Sequence, residues 1–294
     1  MDDEEQGLSG WLDGLSERLQ AGLTEAMETG GPSAQAAKDF LNGTWLGHPL
    51  HPALVFLPLG AWSTAAVLDV LGEQRAADAS IGLGILSSLP TAAAGLAQWH
   101  DIQSKPRRVG MAHALLNTIA LGCYTGSWAA RAAGHRKLGF SLSTLGLATT
   151  GVSGYLGGEL AYNLGVGVSR TAWSTEVEDA SPAISEFQVA APASSHVEGD
   201  LSAGEIEVDG QKIPLVLLKR GNQVLALNGT CTHAGGPLAE GKLVDGDCVQ
   251  CPWHGSIFNM HDGTVVQSPA TASQPHFEAR VRDGNVEVRA VREG

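Results

Sequence analysis

Two cysteine–histidine pairs in the last third of the chain have the residue types and the spacing to bind iron. Cys231 and His233 are separated by one residue, seventeen residues follow, and then Cys251 and His254 are separated by two. Two thiolates and two imidazoles suffice for a two-iron cluster, with the thiolates on one iron and the imidazoles on the other. Neutral imidazole removes negative charge from such a cluster and raises its reduction potential. The pattern therefore predicts one-electron chemistry.

The residues around these pairs carry a family resemblance. The segments CTHAGGPL and CPWHGSIF closely resemble the two ligand loops of the Rieske [2Fe-2S] family. The resemblance implies that Cys231 and Cys251 bind the buried iron, and that His233 and His254 bind the outer one. It also implies that Ser256 can donate a hydrogen bond to a bridging sulfide.

Three residues depart from the high-potential members of that family. Those members join the two loops by a disulfide, but its two positions hold Gly236 and Trp253 here, and Phe258 stands where a tyrosine would add a hydroxyl. Fewer hydrogen bonds to sulfur stabilise the reduced cluster less. We therefore expect a potential at the low, ferredoxin-like end of the Rieske range, roughly −150 mV or a little above.

The two remaining cysteines allow other interpretations. Cys248 forms a CxxC motif with Cys251, which could indicate a thioredoxin-like or zinc-binding site. Because the Rieske resemblance already uses Cys251, and Cys248 falls in a strand-like stretch, we favour a packing role for Cys248. Cys123 lies in a long apolar segment and is also expected to pack. No spare cysteine pair points to an oxidising compartment.

Charge divides the chain into regions. The net charge of −13 is made of −7 over residues 1–40, +3 over 41–170, −3 over 171–185 and −6 over 186–294. Such a balance argues against nucleic acid as a partner, because nucleic acid requires basic surfaces. It fits an acidic domain joined to a membrane part, with a boundary near residue 170.

The middle of the chain has the pattern of a membrane domain. Apolar stretches over 53–72, 81–99, 111–133 and 138–157 each approach the ~20 residues that a helix needs to cross a bilayer. Their many small residues favour close helix packing in membrane lipid. We predict a four-helix transmembrane bundle over 44–170, preceded by an acidic segment over 1–43 with an amphipathic helix from Trp11 to about Met27. That helix is acidic, so we expect it to dock on protein.

The C-terminal part changes to a β pattern. After a predicted linker over 171–185, residues 186–294 contain apolar–polar alternation with turn residues between the alternating runs. The runs are 204–208, 213–218, 224–228 and 281–289, and the turns are Asp209-Gly210, Arg220-Gly221 and Asp283-Gly284-Asn285. The predicted fold class is therefore multidomain, a four-helix transmembrane bundle followed by an all-β Rieske domain.

A second resemblance covers residues 38–170. The segments GTWLGHPLHP, RRVGMAHALLN and GYLGGELAYNLGVGV resemble a bacterial four-helix membrane domain family of unknown function, which is sometimes fused to a Rieske domain. Histidines gather near one predicted membrane face: His48, His51, His100 and His113. Three hypotheses stay open, namely haem b bound by His113 with His51 or His48, a quinone site, or purely structural histidines.

These observations predict a membrane-anchored electron carrier. We expect a multi-pass protein of the cell membrane with both termini and the cluster cytoplasmic, because an export signal and a loop disulfide are missing. The expected partner is an unidentified redox protein, and an oligomer is possible. Rieske oxygenases add a large catalytic domain, for which no room remains, so the chain is expected to be a component of an enzyme system. The alternatives are a membrane oxidoreductase with haem or quinone, and a membrane-anchored redox sensor.

Overall fold

The chain forms two compact units. The computed structural model describes residues 2–172 and 186–291, with side chains from residue 9 onward. One unit is helical and comprises Met1–Asn42 and Pro49–Gly167, and the other comprises Gly43–His48 and Val168–Gly294 and contains all the β-strands of the described residues. The predicted linker over 171–185 falls almost wholly on residues 173–185, which lie outside the described residues.

Five helices build the helical unit. They are α1 (Asp2–Asn42), α2 (Leu50–Leu71), α3 (Gln74–His100), α4 (Ser104–Ala132) and α5 (Arg136–Gly158), and a π-helical turn over Glu159–Asn163 extends the last. Helices α2–α5 coincide with the four predicted spans. Of the described helices, α2 and α3 are long and apolar enough to cross a membrane by length and composition.

The N-terminal helix is longer than the predicted amphipathic stretch, and it belongs to this unit. It continues to Asn42 through a kink at Gly31, the residue before Pro32. Gly31 has a φ of 54°, a left-handed conformation that glycine adopts readily. The Gln20 amide donates to the carbonyl oxygen of Ile102 at 2.8 Å, and Lys38 pairs with Asp101 at 2.7 Å. Helix α1 is therefore docked on the α3–α4 connection.

The hairpins α2–α3 and α4–α5 are two copies of one arrangement. Contacts in the first recur in the second at a constant offset of 62 residues. The recurring pairs are His51–Thr91 with His113–Ser153, Trp62–Gly84 with Tyr124–Gly146, and His51–Gly95 with His113–Gly157. Both connections turn at an equivalent left-handed glycine, Gly72 (φ 80°) and Gly134 (φ 84°). The unit is therefore an internal repeat with pseudo-twofold symmetry.

Equivalent residues of α2 and α4 meet each other, which places them about the pseudo-twofold axis. The rings of Trp62 and Tyr124 stack with centroids 4.1 Å apart and planes 9° apart. Two turns further along, the Arg131 guanidinium donates to both carboxylate oxygens of Asp69 at 2.6 and 2.5 Å. At this position the two halves differ, one with Asp and the other with Arg, so that each buried charge lies beside an opposite charge.

The β unit has two antiparallel sheets. The larger follows the order β1-β10-β9-β4-β3-β2 and the smaller the order β5-β6-β7-β8. The strands are β1 (Gln188–Pro192), β2 (Leu201–Val208), β3 (Gln211–Arg220), β4 (Gln223–Asn228), β5 (Lys242–Val244), β6 (Cys248–Gln250), β7 (Ile257–Asn259), β8 (Val265–Gln267), β9 (His276–Arg282) and β10 (Asn285–Ala290). The predicted turns at Asp209-Gly210, Arg220-Gly221 and Asp283-Gly284 join β2–β3, β3–β4 and β9–β10.

Strand β3 divides two hydrophobic cores. Leu215 and Leu217 point into the core of the larger sheet, while Val216 and Leu218 point into a second core between the two sheets. The period-2 geometry of a strand produces this alternation. The second core includes Cys231 and Cys251, so the smaller sheet and the apolar face of β3 and β4 position both cysteines.

Two short segments outside the strands also group with the β unit. Residues Thr44–Leu46 form a helical turn that contacts β8, and the backbone N–H of Arg170 donates to the carbonyl oxygen of Thr232 at 2.9 Å. Residues 43–48, which the sequence pattern assigns mostly to the membrane domain, thus pack with the strands.

Candidate metal centre

The two loops that carry the cysteine–histidine pairs have the same backbone conformation. In the β4–β5 loop, the N–H of Cys231 donates to Gly236 O at 2.9 Å, and the N–H of Gly235 donates back to Cys231 O at 2.9 Å. In the β6–β7 loop, Cys251 exchanges the same bonds with Ser256 and Gly255 at 2.8 and 3.2 Å. Gly235 (φ 84°) and Gly255 (φ 76°) both occupy the left-handed region, which explains glycine four residues after each cysteine.

This conformation aims backbone N–H groups at both sulfurs. Cys231 receives the N–H groups of His233 and Ala234, and Cys251 receives those of Trp253 and His254. The pKa of Cys251 is lowered to about 6, because the Cys231 thiol and these N–H groups donate to its sulfur. The pKa of Cys231 is raised, because it keeps the shared proton and is buried. The site therefore favours the thiolate form of Cys251, which is the form in which cysteine binds a metal.

The two histidines complete the site. The ring centroids of His233 and His254 are 5.0 Å apart, and their planes are 86° apart. Both rings are partly exposed, yet both Nδ1 atoms are buried, so Nδ1 faces inward and Nε2 faces outward. The cysteines are only 1% and 3% exposed. A cluster held by these four residues would thus have a buried thiolate side and an accessible imidazole side.

The donor set suits two irons better than one. Within residues 2–172 and 186–291, no three His, Cys, Asp or Glu side chains converge on one point as ligands of a single metal ion. A [2Fe-2S] cluster needs two protein ligands on each of its two irons, and the two cysteines and two histidines provide them. The residues present therefore fit a Rieske cluster.

Gly236 and Trp253 meet beside the cysteines. A Cβ atom on Gly236 would lie 2.7 Å from Cys251 Sγ and 3.1 Å from Trp253 Cγ. The two positions that carry the loop disulfide in high-potential members are therefore neighbours here, held by packing of Trp253 on a glycine. The Trp253 side chain is 57% exposed and flanks His254.

Gln274 is a positioning residue that sequence reasoning missed. Its buried amide donates to Asn228 O at 2.7 Å and to Thr230 O at 2.6 Å, and its carbonyl accepts from Thr232 N at 3.2 Å. These bonds clamp both sides of Cys231. No sequence signal marks Gln274, because it lies more than forty residues from the loop that it holds.

Other residues of the β unit singled out in the sequence have structural surroundings. Ser256 is buried, and its Oγ accepts from Ala270 N at 3.0 Å, which leaves its hydroxyl hydrogen to donate. Phe258 is fully buried in the core below the cysteines. Cys248 lies half-buried in β6, where it pairs with Asn259 of β7.

The histidines of the helical half are not one cluster. His51 and His113 come together with ring centroids 6.3 Å apart. His48 is exposed and belongs to the residues that pack with the β unit. His100 lies beside Lys38, Asp101 and Thr24 at the α1 contact.

Comparison with known proteins identifies both halves. Residues 187–278 match the Rieske [2Fe-2S] domain, and residues 47–170 match the family described as predicted membrane protein (DUF2231). Ferredoxin CarAc of Metapseudomonas resinovorans is 43% identical over 75 residues, which cover 26% of this chain and 69% of that protein. The anthranilate 1,2-dioxygenase ferredoxin subunit of Burkholderia cepacia is 35% identical over 81 residues, which cover 28% and 73%.

A solved structure is also similar to part of the chain. It is the complex of reduced oxygenase and oxidized ferredoxin in carbazole 1,9a-dioxygenase, with 32% sequence identity and a TM-score of 0.33. The match covers 37% of this chain and 99% of that one.

Proposed function

Because the chain belongs to the Rieske [2Fe-2S] family, we propose that it is a membrane-anchored one-electron carrier with Cys231, His233, Cys251 and His254 as cluster ligands. The observation that carries this proposal is the convergence of two buried sulfurs and two imidazoles on equivalent loops. When bound, the cluster accepts and releases one electron. The protein's own residues supply N–H groups to the sulfurs, exclude water from the cysteine side and leave the imidazole edge accessible.

The electron partner is a separate redox protein. Relatives named as ferredoxin components of dioxygenases support an electron-transfer role. The described residues have no further metal-binding group of the kind that would perform oxygenase chemistry. Contact through the partly exposed imidazoles and Trp253 would bring a partner close to the outer iron. Ser256 remains the donor to a bridging sulfide, and Phe258 contributes no such bond, so the potential is low.

The helical half anchors the carrier by four spans. Support comes from the reversed polarity of the unit: large apolar side chains are exposed on all of α2–α5, whereas Ser88, Ser127, Arg131 and Ser153 are buried. Residues 50–68, 79–100, 109–130 and 138–158 contain no Asp, Glu, Lys or Arg. Because α4–α5 repeats α2–α3, the two hairpins share one environment. Both termini and the cluster are then on the same side, the cytoplasm.

Spectroscopy of the purified full-length chain tests the cluster. We expect a Rieske-type EPR signal after dithionite reduction and a midpoint near −150 mV or a little above. Cys231→Ser and Cys251→Ser should abolish the signal. Cys248→Ser is the matched control, because this thiol shares the CxxC motif with Cys251 but lies on β6, and it should keep the signal. No Rieske signal after anaerobic reconstitution would overturn the proposal.

Reporter fusions test the topology. Green fluorescent protein fused after residue 294 should fluoresce, and alkaline phosphatase inserted in the α4–α5 connection near Gly134 should be active. The reverse pattern would place the cluster outside the cytoplasm and contradict the proposed orientation.

A further inference from the structure

Two imidazoles lie beside each other, with perpendicular ring planes, at the pseudo-twofold axis of the helical unit. His51 of α2 and His113 of α4 occupy equivalent positions, with ring centroids 6.3 Å apart and planes 88° apart. Imidazoles on opposite sides of one metal atom have ring centres roughly 6 Å apart, because each metal–nitrogen bond is about 2 Å and the ring centre lies about 1 Å beyond the nitrogen. The spacing therefore suits one metal atom between the rings.

Each ring is held in the tautomer that a metal ligand needs. Nδ1 of His51 donates to Thr91 O, and Nδ1 of His113 donates to Ser153 O, both at 2.8 Å. A carbonyl oxygen can only accept, so Nδ1 carries the hydrogen and Nε2 carries the lone pair. Metal-binding histidines are oriented by the same kind of bond from their other nitrogen. The Asn117 amide donates to Nε2 of His113 at 3.0 Å, and metal binding would displace it.

The histidine pair has the same residue type in both hairpins, unlike the other two residue pairs that meet on the axis. One position holds Trp62 and Tyr124 and another Asp69 and Arg131, so packing and charge pairing on the axis tolerate different residues in the two halves. At the imidazole position both halves have histidine. Both also have glycine against the ring, where a Cβ would lie 2.8 Å from His51 Cε1 at residue 95 and 3.3 Å from His113 Cε1 at residue 157.

The number of ligands selects the kind of metal group. Within the part of the chain that the structure describes, no third His, Cys, Asp or Glu joins this pair. A bare ion would have only these two protein ligands, whereas haem iron brings four porphyrin nitrogens and needs two axial ligands. Helical bundles bind such groups between facing helices. We propose that His51 and His113 are the axial ligands of a b-type haem.

Absorption spectroscopy of the full-length protein tests this proposal. The protein is purified in detergent from cells supplied with the haem precursor δ-aminolevulinate, and the haem-depleted protein is titrated with hemin. We expect about one haem per chain with the low-spin spectrum of bis-imidazole ligation. His51→Ala and His113→Ala should each lower the low-spin haem content at least tenfold. His135→Ala removes an exposed histidine of the same unit and should leave it unchanged.

Two further readouts separate ligand loss from misfolding. The Rieske EPR signal and the elution volume should be unchanged in both alanine variants, and His51→Met, which retains an iron ligand, should keep haem with a shifted spectrum. A wild-type protein that shows the Rieske signal but binds no low-spin haem would overturn this inference alone. Low-spin haem that persists in both alanine variants would also overturn it. Haem without the Rieske signal would instead overturn the proposed function.

Discussion

Replacing Gln274 with methionine should loosen the first ligand loop without changing the shape of the core. The side chain of similar size loses the bonds to Asn228 O, Thr230 O and Thr232 N, at 2.7, 2.6 and 3.2 Å. Each buried hydrogen bond contributes about 1 kcal/mol. The loss is therefore about 3 kcal/mol, which raises the population of the opened loop roughly 100-fold when opening is local.

The assay is the rate at which the oxidised cluster loses its visible absorbance under a chelator, in full-length protein at a fixed urea concentration. Gln267→Met is the matched control, because this amide donates one bond of 3.2 Å to Gly255 O in the second ligand loop. Its loss of about 1 kcal/mol should accelerate release only about fivefold. A Gln274→Met rate that does not exceed the control's would refute the clamp.

Three other substitutions test separate parts of the molecule. Asp69→Asn should leave the buried Arg131 guanidinium with only Asp78, at 3.3 Å, as a counter-charge, and should cost about 3 kcal/mol of stability in detergent. Exchanging residues 69 and 131 should restore most of this loss, and equal losses in both variants would contradict the pairing. Phe258→Tyr should add a hydrogen bond near the cluster and raise its midpoint by roughly 40 mV in a redox titration, whereas an unchanged or lower potential would disprove this reasoning. The Arg220 guanidinium lowers the pKa of Asp247 in the folded protein. The Asp247 carboxylate therefore stabilises the fold fully at pH values above about 3.9, the pKa of Asp in the unfolded chain. This stabilisation is lost as the pH falls through the lower pKa of the folded state. Asp247→Asn should therefore destabilise the protein at pH 7 but not near pH 2, as followed by denaturant unfolding.

The sequence by itself determined the local parts of this protein. The ligand loops could be recognised because each cysteine, histidine and left-handed glycine lies within six consecutive residues, where backbone hydrogen bonds close a short turn. The hairpin turns and the helix positions were also predictable, because glycine placement and apolar stretches act over short distances. The N-terminal helix was predicted only from Trp11 to about Met27, whereas α1 continues to Asn42, because its later part is held by distant contacts such as Lys38 with Asp101.

Only the tertiary structure decided which distant residues meet. Gln274 holds Cys231 from a loop after β8, and nothing in its own neighbourhood announces that role. The pairing of His51 with His113 likewise follows from the packing of the two hairpins about the pseudo-twofold axis. Such contacts depend on how whole hairpins pack, and the same apolar stretches are compatible with many packings. The local sequence therefore specifies the loops and helices, and the close-packed interior selects their partners.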